Sequence, residues 1–266
     1  LPPLSAIFSL SDFEKIAKEV LPRSTFAYYA TGSSDEFSIR ENHYAYSRIF
    51  FRPKILQDVD YNVDTSTTFL GSKVDLPIYI TAFAGSRWAD PLGEKNLQYA
   101  AYDANVMQMV PKQNSYPFDE FFEDVPEDQN HWCQYHFDTR DEMEEFIGSL
   151  KKYEAQPSVK GLFLNVDLAD IGNREKDSRQ RSRDIQGSKY LSSVVESGKA
   201  YYTFTWKDLD RIMSLTTLRV CLKGVQRGED VVLAAEKGVK AVVLSNHGGR
   251  QLDFSRPPLE VLAEAK

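Results

Sequence analysis

The sequence predicts an α/β fold of the (β/α)8 TIM-barrel type, preceded by a helical segment at the N-terminus. Apolar β-rich runs alternate with helical stretches, which indicates βαβ units and a parallel sheet. The runs are apolar on both faces, as in strands that are covered on both sides. An open doubly wound sheet also fits this alternation, but no G-x-G-x-x-G sequence follows the first run. Polar residues follow most of the runs, and because barrel strands all end at one mouth, this placement favours the barrel.

Six strands are predicted, at 76–83, 105–110, 132–137, 161–166, 218–224 and 241–245. The predicted helices are 9–21, 23–32, 93–104, 139–155, 205–215 and 226–238. In the first helix, Ser11 is the expected N-cap, with Glu14 three residues later, and an apolar stripe follows. That stripe consists of Phe13, Ile16, Ala17 and Val20. Residues 1–75 are therefore assigned to the helical segment and its connection, residues 76–266 to the barrel, and the polar stretch 168–205 is expected to be mobile.

The composition excludes several classes of protein. Hydrophobic residues make up 42% of the chain, enough for a large core, and the net charge of −7 argues against a nucleic-acid binder. No apolar run approaches the roughly 18 residues of a membrane helix, and no metal-binding motif is present. Cys133 and Cys221 lie in strand-like runs and are expected to be buried free thiols. They predict a soluble protein of a reducing compartment, cytoplasmic, or mitochondrial if a targeting segment was removed.

The last predicted strand runs directly into a histidine and an arginine that are separated by two glycines. In a barrel, His247 and Arg250 would stand at the mouth, while Gly248 and Gly249 let the backbone turn tightly. A histidine can accept a proton near neutral pH, and an arginine offers a planar fork that fits a carboxylate. Together they predict a site that binds a carboxylic acid and removes a proton from the carbon next to its carboxyl group.

The stretch LSNHGGRQLD (244–253) resembles the signature of the FMN-dependent 2-hydroxy-acid oxidases and dehydrogenases. Further blocks resemble the same family in the same order. They are YYATGSSDE (28–36), RENHYAYSRIFFRPKIL (40–56), NREKD (173–177), TWKDL (205–209) and LKGVQRGEDV (222–231). The similarity covers almost the whole chain. It implies a TIM-barrel enzyme that binds FMN and oxidises a small, lactate-like 2-hydroxy acid to the 2-oxo acid.

The resemblance also implies roles for residues at the barrel mouth. His247 would take a proton from the substrate, and Asp167 would hold the resulting imidazolium and raise its basicity. Arg250 would bind the substrate carboxylate, with Arg174 as a second, more mobile cation. Tyr28 would hydrogen-bond the substrate from the N-terminal helical segment.

The same resemblance implies a set of flavin contacts. Lys223 would lie near the pyrimidine end and stabilise the negative charge of reduced flavin. The other expected cofactor-binding residues are Ala82, Ser115, Gln134 and Asn165. His136 stands where the family places a second substrate-binding tyrosine.

Some positions depart from the family pattern. Phe83 brings a bulky ring to the segment after the first strand, and Asn165 replaces a threonine that usually touches the flavin. The chain also ends in the helix after the sixth strand, whereas the family continues with two βα units that carry its phosphate-binding loops. About six of eight units are thus present, and six strands cannot close an eight-stranded barrel.

These departures leave three functions open. The first is the FMN-dependent oxidation of a small carboxylate substrate. The second is a catalytically silent relative that has lost FMN binding and acts as a partner subunit. The third is a diverged enzyme in which the same base acts on another acidic or amide substrate. We expect either a homo-oligomer or a second chain that completes the barrel, since open sheet edges need covering.

Overall fold

A six-stranded parallel sheet forms the centre of the computed structural model, which describes residues 1–58, 61, 63–184 and 202–266. Its strands are β3 (Tyr79–Ile80), β4 (Met107–Val110), β5 (His131–Tyr135), β6 (Val159–Asn165), β7 (Arg219–Val225) and β8 (Val242–Leu244). They lie side by side in chain order, and every neighbouring pair is parallel. A doubly wound sheet reverses its strand order at a switch point, and this sheet has no reversal. The predicted TIM-barrel type is confirmed.

The helices of the barrel region lie between or after these strands. They are α4 (Glu94–Asp103), α5 (Phe118–Phe122), α6 (Arg140–Ala155), α7 (Glu175–Asp184), α8 (Trp206–Leu215), α9 (Gly228–Glu236) and α10 (Pro258–Ala265). The N-terminal segment contributes α1 (Leu10–Val20), α2 (Arg23–Ala30) and α3 (Phe37–Tyr44). Within the described residues, no helix has both the length and the apolar character needed to cross a membrane.

Strand alternation divides the core into an inner and an outer layer. Successive side chains of a strand point to opposite faces, so residues two apart share one face. Met109, Trp132, Phe163 and Cys221 pack together in an inner cluster. An outer cluster contains Leu162, Leu164, Val220 and Leu222 from the same strands, together with apolar side chains of α6 and α8. The two cysteines, Cys133 and Cys221, are free and buried, as predicted.

An antiparallel hairpin that the sequence did not indicate precedes the barrel. Its strands are β1 (Thr67–Phe69) and β2 (Ser72–Val74). Leu70 and Gly71 connect them, both with positive φ (47° and 82°), which suits a tight two-residue turn. Val74, Phe69 and Leu70 pack against the inner cluster. The hairpin therefore adds to the barrel core.

Two predictions for local structure were wrong. Helix α1 begins after Ser9, where the Asp12 carboxylate accepts hydrogen bonds from the Ser9 N–H and hydroxyl (3.0 and 3.2 Å), so Ser11 is not the N-cap. No residue of α1 is buried, and Phe13 in the predicted apolar stripe is 50% exposed. The polar stretch 168–205 contains helix α7, with Asp177 and Arg181 buried. Residues 185–201 lie outside the described residues.

The loop after β8 holds helix α3 against the barrel mouth. Asp253 accepts hydrogen bonds from the backbone N–H groups of Asp35, Phe37 and Ser38 at the start of α3 (3.1, 3.3 and 2.8 Å). The amides of Asn42 and Asn246 are paired through two hydrogen bonds of 2.9 and 2.7 Å. The loop therefore satisfies helix-end donors that would otherwise lack a partner.

Two adjacent glycines of this loop allow a matched stability test. Gly248 and Gly249 both have positive φ (67° and 72°), but a Cβ on Gly249 would lie 2.4 Å from the Ile39 backbone nitrogen, whereas Gly248 faces nearly open space. We expect Gly248→Ala to lower the free energy of unfolding by about 1 kcal/mol through backbone strain alone. Gly249→Ala should cost roughly 3 kcal/mol or more because α3 must move. Denaturant unfolding measures both, and equal losses would contradict the close packing of α3.

Candidate active site

The histidine of the loop after β8 is paired with a carboxylate from the end of β6. His247 Nδ1 lies 3.1 Å from Asp167 Oδ1, and the Asp167 side chain is completely enclosed. A carboxylate only accepts hydrogen bonds, so Nδ1 carries the proton and donates it. Nε2 of the neutral ring is therefore left with a free lone pair, as a general base requires.

Residues of β7 enclose Asp167 from the other side. Lys223 Nζ lies 3.7 Å from Asp167 Oδ2. The next residue, Gly224, has a φ of 107°, and a Cβ there would lie 2.5 Å from the Cβ of Asp167. Glycine at this position therefore lets the carboxylate sit directly against the strand.

Burial and charge set the protonation of this group of residues. Burial lowers the pKa of His247 below its ordinary 6.5, although the hydrogen bond to Asp167 partly offsets this effect. For Asp167, burial raises the pKa, but the His247 hydrogen bond and the Lys223 charge outweigh it, and the net shift is downward. Burial also lowers the pKa of Lys223. We call His247 and Asp167 the dyad. At neutral pH it consists of a neutral imidazole beside a carboxylate.

Two arginines lie next to the dyad. Arg250 carries two buried nitrogens, Nε and Nη2, that have no hydrogen-bond partner among the described residues. These two nitrogens form one edge of the guanidinium, the edge that binds a carboxylate through two parallel hydrogen bonds. Arg174 Nε donates to the Arg250 carbonyl oxygen (3.2 Å). Burial and the charge of Arg250 lower the pKa of Arg174 to about 10, so an anion between them would be stabilised.

Helix α2 brings a tyrosine to the arginines. The Arg250 Cζ lies 4.4 Å from the centre of the Tyr28 ring, within the range of a cation–π contact. Tyr28 also packs edge-on against Trp88 and Tyr29, with ring centroids 4.8 and 5.1 Å apart. The N-terminal segment thus contributes one wall of the site.

Three polar residues stand on the inner barrel face, each two positions after a residue of the inner cluster. Gln134 follows Trp132, Asn165 follows Phe163, and Lys223 follows Cys221. All three are buried. Asn165 Oδ1 has no hydrogen-bond partner among the described residues, and it is therefore an acceptor available to a ligand.

Comparisons with known proteins identify the family. A family model described as FMN-dependent dehydrogenase matches residues 17–266. The chain belongs to this family. The L-lactate dehydrogenase (cytochrome) of Wickerhamomyces anomalus is 42% identical over 277 residues, which cover 99% of this chain and 47% of the relative. That of Saccharomyces cerevisiae is 44% identical over 280 residues, with 99% and 46% covered.

Solved structures of the family have the same fold. The flavin-binding domain of baker's yeast flavocytochrome b2 superposes with a TM-score of 0.86 at 42% identity, over 99% of this chain and 65% of that one. A mandelate oxidase gives a TM-score of 0.86 at 29% identity. The chain spans about half the length of the curated L-lactate dehydrogenases that it matches.

Of the residues predicted for an FMN-dependent dehydrogenase site, six meet at the barrel mouth. Asp167, Lys223 and His247 are joined by direct contacts, as are Tyr28, Arg174 and Arg250. The two groups are close enough to interact electrostatically, since the charge of Arg174 contributes to the lowered pKa of His247.

The other five predicted residues lie outside this cluster. One of them, Asn165, is buried on the inner barrel face, as described above. Ala82 packs against the inner cluster just after β3. The Ser115 backbone N–H donates to Glu94 at the start of α4 (3.2 Å). Gln134 lies 3.4 Å from His136 Nδ1, and His136 Nε2 lies 3.3 Å from Asp138 Oδ1. His136 is thus oriented by Asp138, on the β5 side of the mouth.

Phe83, one of the departures from the family pattern, turns toward α2. Its ring stacks on Tyr29 with centroids 4.6 Å apart and planes 17° apart. The Tyr29 hydroxyl in turn donates to the Gly85 carbonyl (2.7 Å). The ring is therefore held by aromatic contacts with the N-terminal segment.

Sequence reasoning missed Gln251, which fixes the loop that begins at Asp167. Its Nε2 donates to the carbonyls of Asp167 and Asp170 (3.2 and 2.6 Å), and its Oε1 accepts from the Gly172 N–H (3.1 Å). A glutamine next to an arginine is not a recognisable sequence motif, so the sequence did not indicate its role.

The buried pair of Asp177 and Arg181 was also missed, although its i,i+4 spacing is a usable signal.

The pairing with Asp167 can be tested by titrating His247. The protein has four histidines, so their NMR signals can be assigned one by one. We expect the pKa of His247 to lie below 6.5 and to fall further in Asp167→Asn, because the carboxylate contribution that raises it is lost. Asp138→Asn is the matched control, since that carboxylate contacts His136. An unchanged His247 titration in Asp167→Asn would contradict the pairing.

Proposed function

We propose that this protein catalyses the FMN-dependent oxidation of a small, lactate-like 2-hydroxy acid to the 2-oxo acid. The observation that carries the proposal is the pairing of His247 with the enclosed Asp167, beside an edge of Arg250 that has no hydrogen-bond partner among the described residues. The first is a base and the second a carboxylate site, at the mouth of a barrel where active sites lie. Membership of the FMN-dependent dehydrogenase family supports the same reaction.

Substrate binding would begin at the arginines. The carboxylate would accept two hydrogen bonds from Nε and Nη2 of Arg250, which have no other partner among the described residues. Arg174 would add a second positive charge. Burial and the charge of Arg250 lower its pKa to about 10, and a bound carboxylate would offset both effects. Tyr28 would donate a hydrogen bond to the substrate from α2. These contacts fix the reacting carbon relative to His247.

His247 would then take a proton from the substrate at Nε2. Asp167 holds Nδ1 and stabilises the imidazolium that forms, so the developing charge has a partner in a buried site. The oxidation removes two electrons and two protons from the substrate, and His247 holds one of these protons. FMN, when bound, would accept the two electrons and the other proton.

The residues on the inner face fit the pyrimidine end of a flavin. That ring edge offers an N–H donor and carbonyl acceptors, and Asn165 Oδ1 is a buried acceptor that has no partner in the part of the chain that the structure describes. Lys223 provides a buried positive charge beside it, which would stabilise negative charge on the flavin. Gln134 is buried on the same face. We assign Ala82, Ser115, Gln134, Asn165 and Lys223 to the cofactor and His136 to the substrate.

The alternative of a catalytically silent subunit has less support. The base contacts its enclosed carboxylate partner, and the two arginines contact each other, at a cost in buried charge that a non-catalytic surface would not need. Phe83, one of the departures that favoured this alternative, is held against Tyr29.

Turnover by a His247 variant tests the proposed reaction. We expect His247→Gln to lower the rate by several orders of magnitude while a carboxylate inhibitor still binds, because the base is lost and Arg250 remains. The exposed His43→Gln is the control and should keep its rate. A His247→Gln protein that retains a tenth of the wild-type rate would remove His247 from the mechanism.

We further propose that the protein is completed by association, either as a homo-oligomer or with a second chain. Among the described residues, β3 and β8 each pair with only one strand and so leave open edges. We propose that residues 1–75 form the helical segment and residues 76–266 the barrel. We also propose a reducing compartment, cytoplasmic or mitochondrial, because it suits the two free thiols.

Sedimentation and flavin fluorescence, measured together on residues 1–266 with added FMN, test the proposed association. We expect an oligomer, or weak FMN binding by the monomer, because the sheet edges are open. A stable monomer that binds FMN with sub-micromolar affinity would contradict the proposal.

A further inference from the structure

A buried ion pair lies behind Tyr28, separate from the dyad and from the carboxylate edge of Arg250. Arg181 Nε and Nη2 lie 2.7 Å from Asp177 Oδ1 and Oδ2, respectively. The two side chains, both on α7, are only 3% and 6% exposed. Arg181 Nη1 is also buried and has no partner among the described residues.

Stability alone does not account for this pair. Removing two charges from water is costly, and apolar side chains of similar volume are often as stabilising as a buried pair. Helix α7 already carries a second i,i+4 pair, Glu175 with Arg179, in which the side chains are 40% and 68% exposed. Nη1 of Arg181 is also buried without a hydrogen-bond partner among the described residues, which adds to the cost of the pair. This cost, together with the position of Arg181 beside the Tyr28 ring, points to a functional role.

The contacts of Arg181 point to the residue through which it acts. Its Cζ lies 5.2 Å from the centre of the Tyr28 ring and 5.8 Å from that of Trp88. Trp88 packs edge-on against the same Tyr28 ring, and Arg250 lies 4.4 Å from its centre. Tyr28 is thus enclosed by two guanidinium groups and an indole.

We propose that Arg181 is a positioning residue that acts through Tyr28. Asp177 fixes the guanidinium by a bidentate contact, and the guanidinium with Trp88 fixes the plane of the Tyr28 ring. The phenol O–H lies preferentially in the ring plane, so this plane sets the direction in which the hydroxyl donates to the substrate. This inference rests on the proposed function, in which Tyr28 binds the substrate.

The first test replaces Arg181 by lysine, which keeps the charge but loses the planar fork and the stacking. In the flavin-loaded protein we expect KM and the Kd of oxalate, a non-reacting dicarboxylate probe, to rise roughly tenfold, with a smaller change in kcat. The pH dependence of kcat should not move, because His247 is untouched. Arg179→Lys is the matched control on the same helix and should change none of these values.

A double mutant tests the route through Tyr28. Once Tyr28→Phe has removed the hydroxyl, the added Arg181→Lys should change the Kd of oxalate by less than about twofold, because the two residues act as one unit. A full tenfold effect in the Tyr28→Phe background would overturn the proposal.

Thermal unfolding separates positioning from a merely structural role. If Arg181→Lys lowers Tm but leaves KM and the Kd of oxalate unchanged well below Tm, the proposal is wrong. If Arg181→Lys does not fold, Asp177→Glu replaces it as the test, because it shifts the guanidinium while keeping the ion pair. We expect Asp177→Glu to raise the Kd of oxalate as well. An unchanged Kd would overturn the proposal.

The binding measurement also keeps this inference distinct from the proposed function. Flavin-loaded wild-type protein that oxidises no 2-hydroxy acid would overturn the proposed function. Calorimetric titration with oxalate would still decide the role of Arg181, since it needs no turnover.

Discussion

The site depends on one enclosed carboxylate, that of Asp167, which lies between a histidine and a lysine. It fixes the tautomer of His247 and offsets the charge of Lys223, and the shape of β7 at Gly224 makes room for it. Without it, the imidazole would lose its orientation and the lysine would be a buried, unpaired cation. The base and the proposed flavin contact are thus coupled through a single side chain.

Side chains alternate between the two faces of each barrel strand, so polar residues can stand directly above a layer of apolar core residues. Trp132, Phe163 and Cys221 fill the inner layer, and the next inward positions on the same strands are polar. One layer supplies packing and the next supplies ligand contacts, so the polar groups are held by rigid strands rather than loops. The more adaptable arginines come from the loops around them.

The sequence predicted all six strands because buried parallel strands are continuous apolar runs between helical stretches. It missed helix α7, whose buried face carries Asp177 and Arg181 in place of apolar residues. It missed the β1–β2 hairpin because three-residue strands are too short for a pattern. The site residues were predicted from a family signature, but their contacts join segments far apart in the chain, and no local pattern reports such distances.

The hydrogen bonds between Asp253 and the start of α3 have a consequence for how the protein folds. Asp253 and Ser38 are 215 residues apart in the chain, and Asn42 and Asn246 are 204 apart. Contacts of such long range form late, because the loop that they close is entropically costly. During synthesis helix α3 must wait for the loop after β8 before it can dock. The part of the candidate site formed by this loop is therefore among the last parts of the molecule to become ordered.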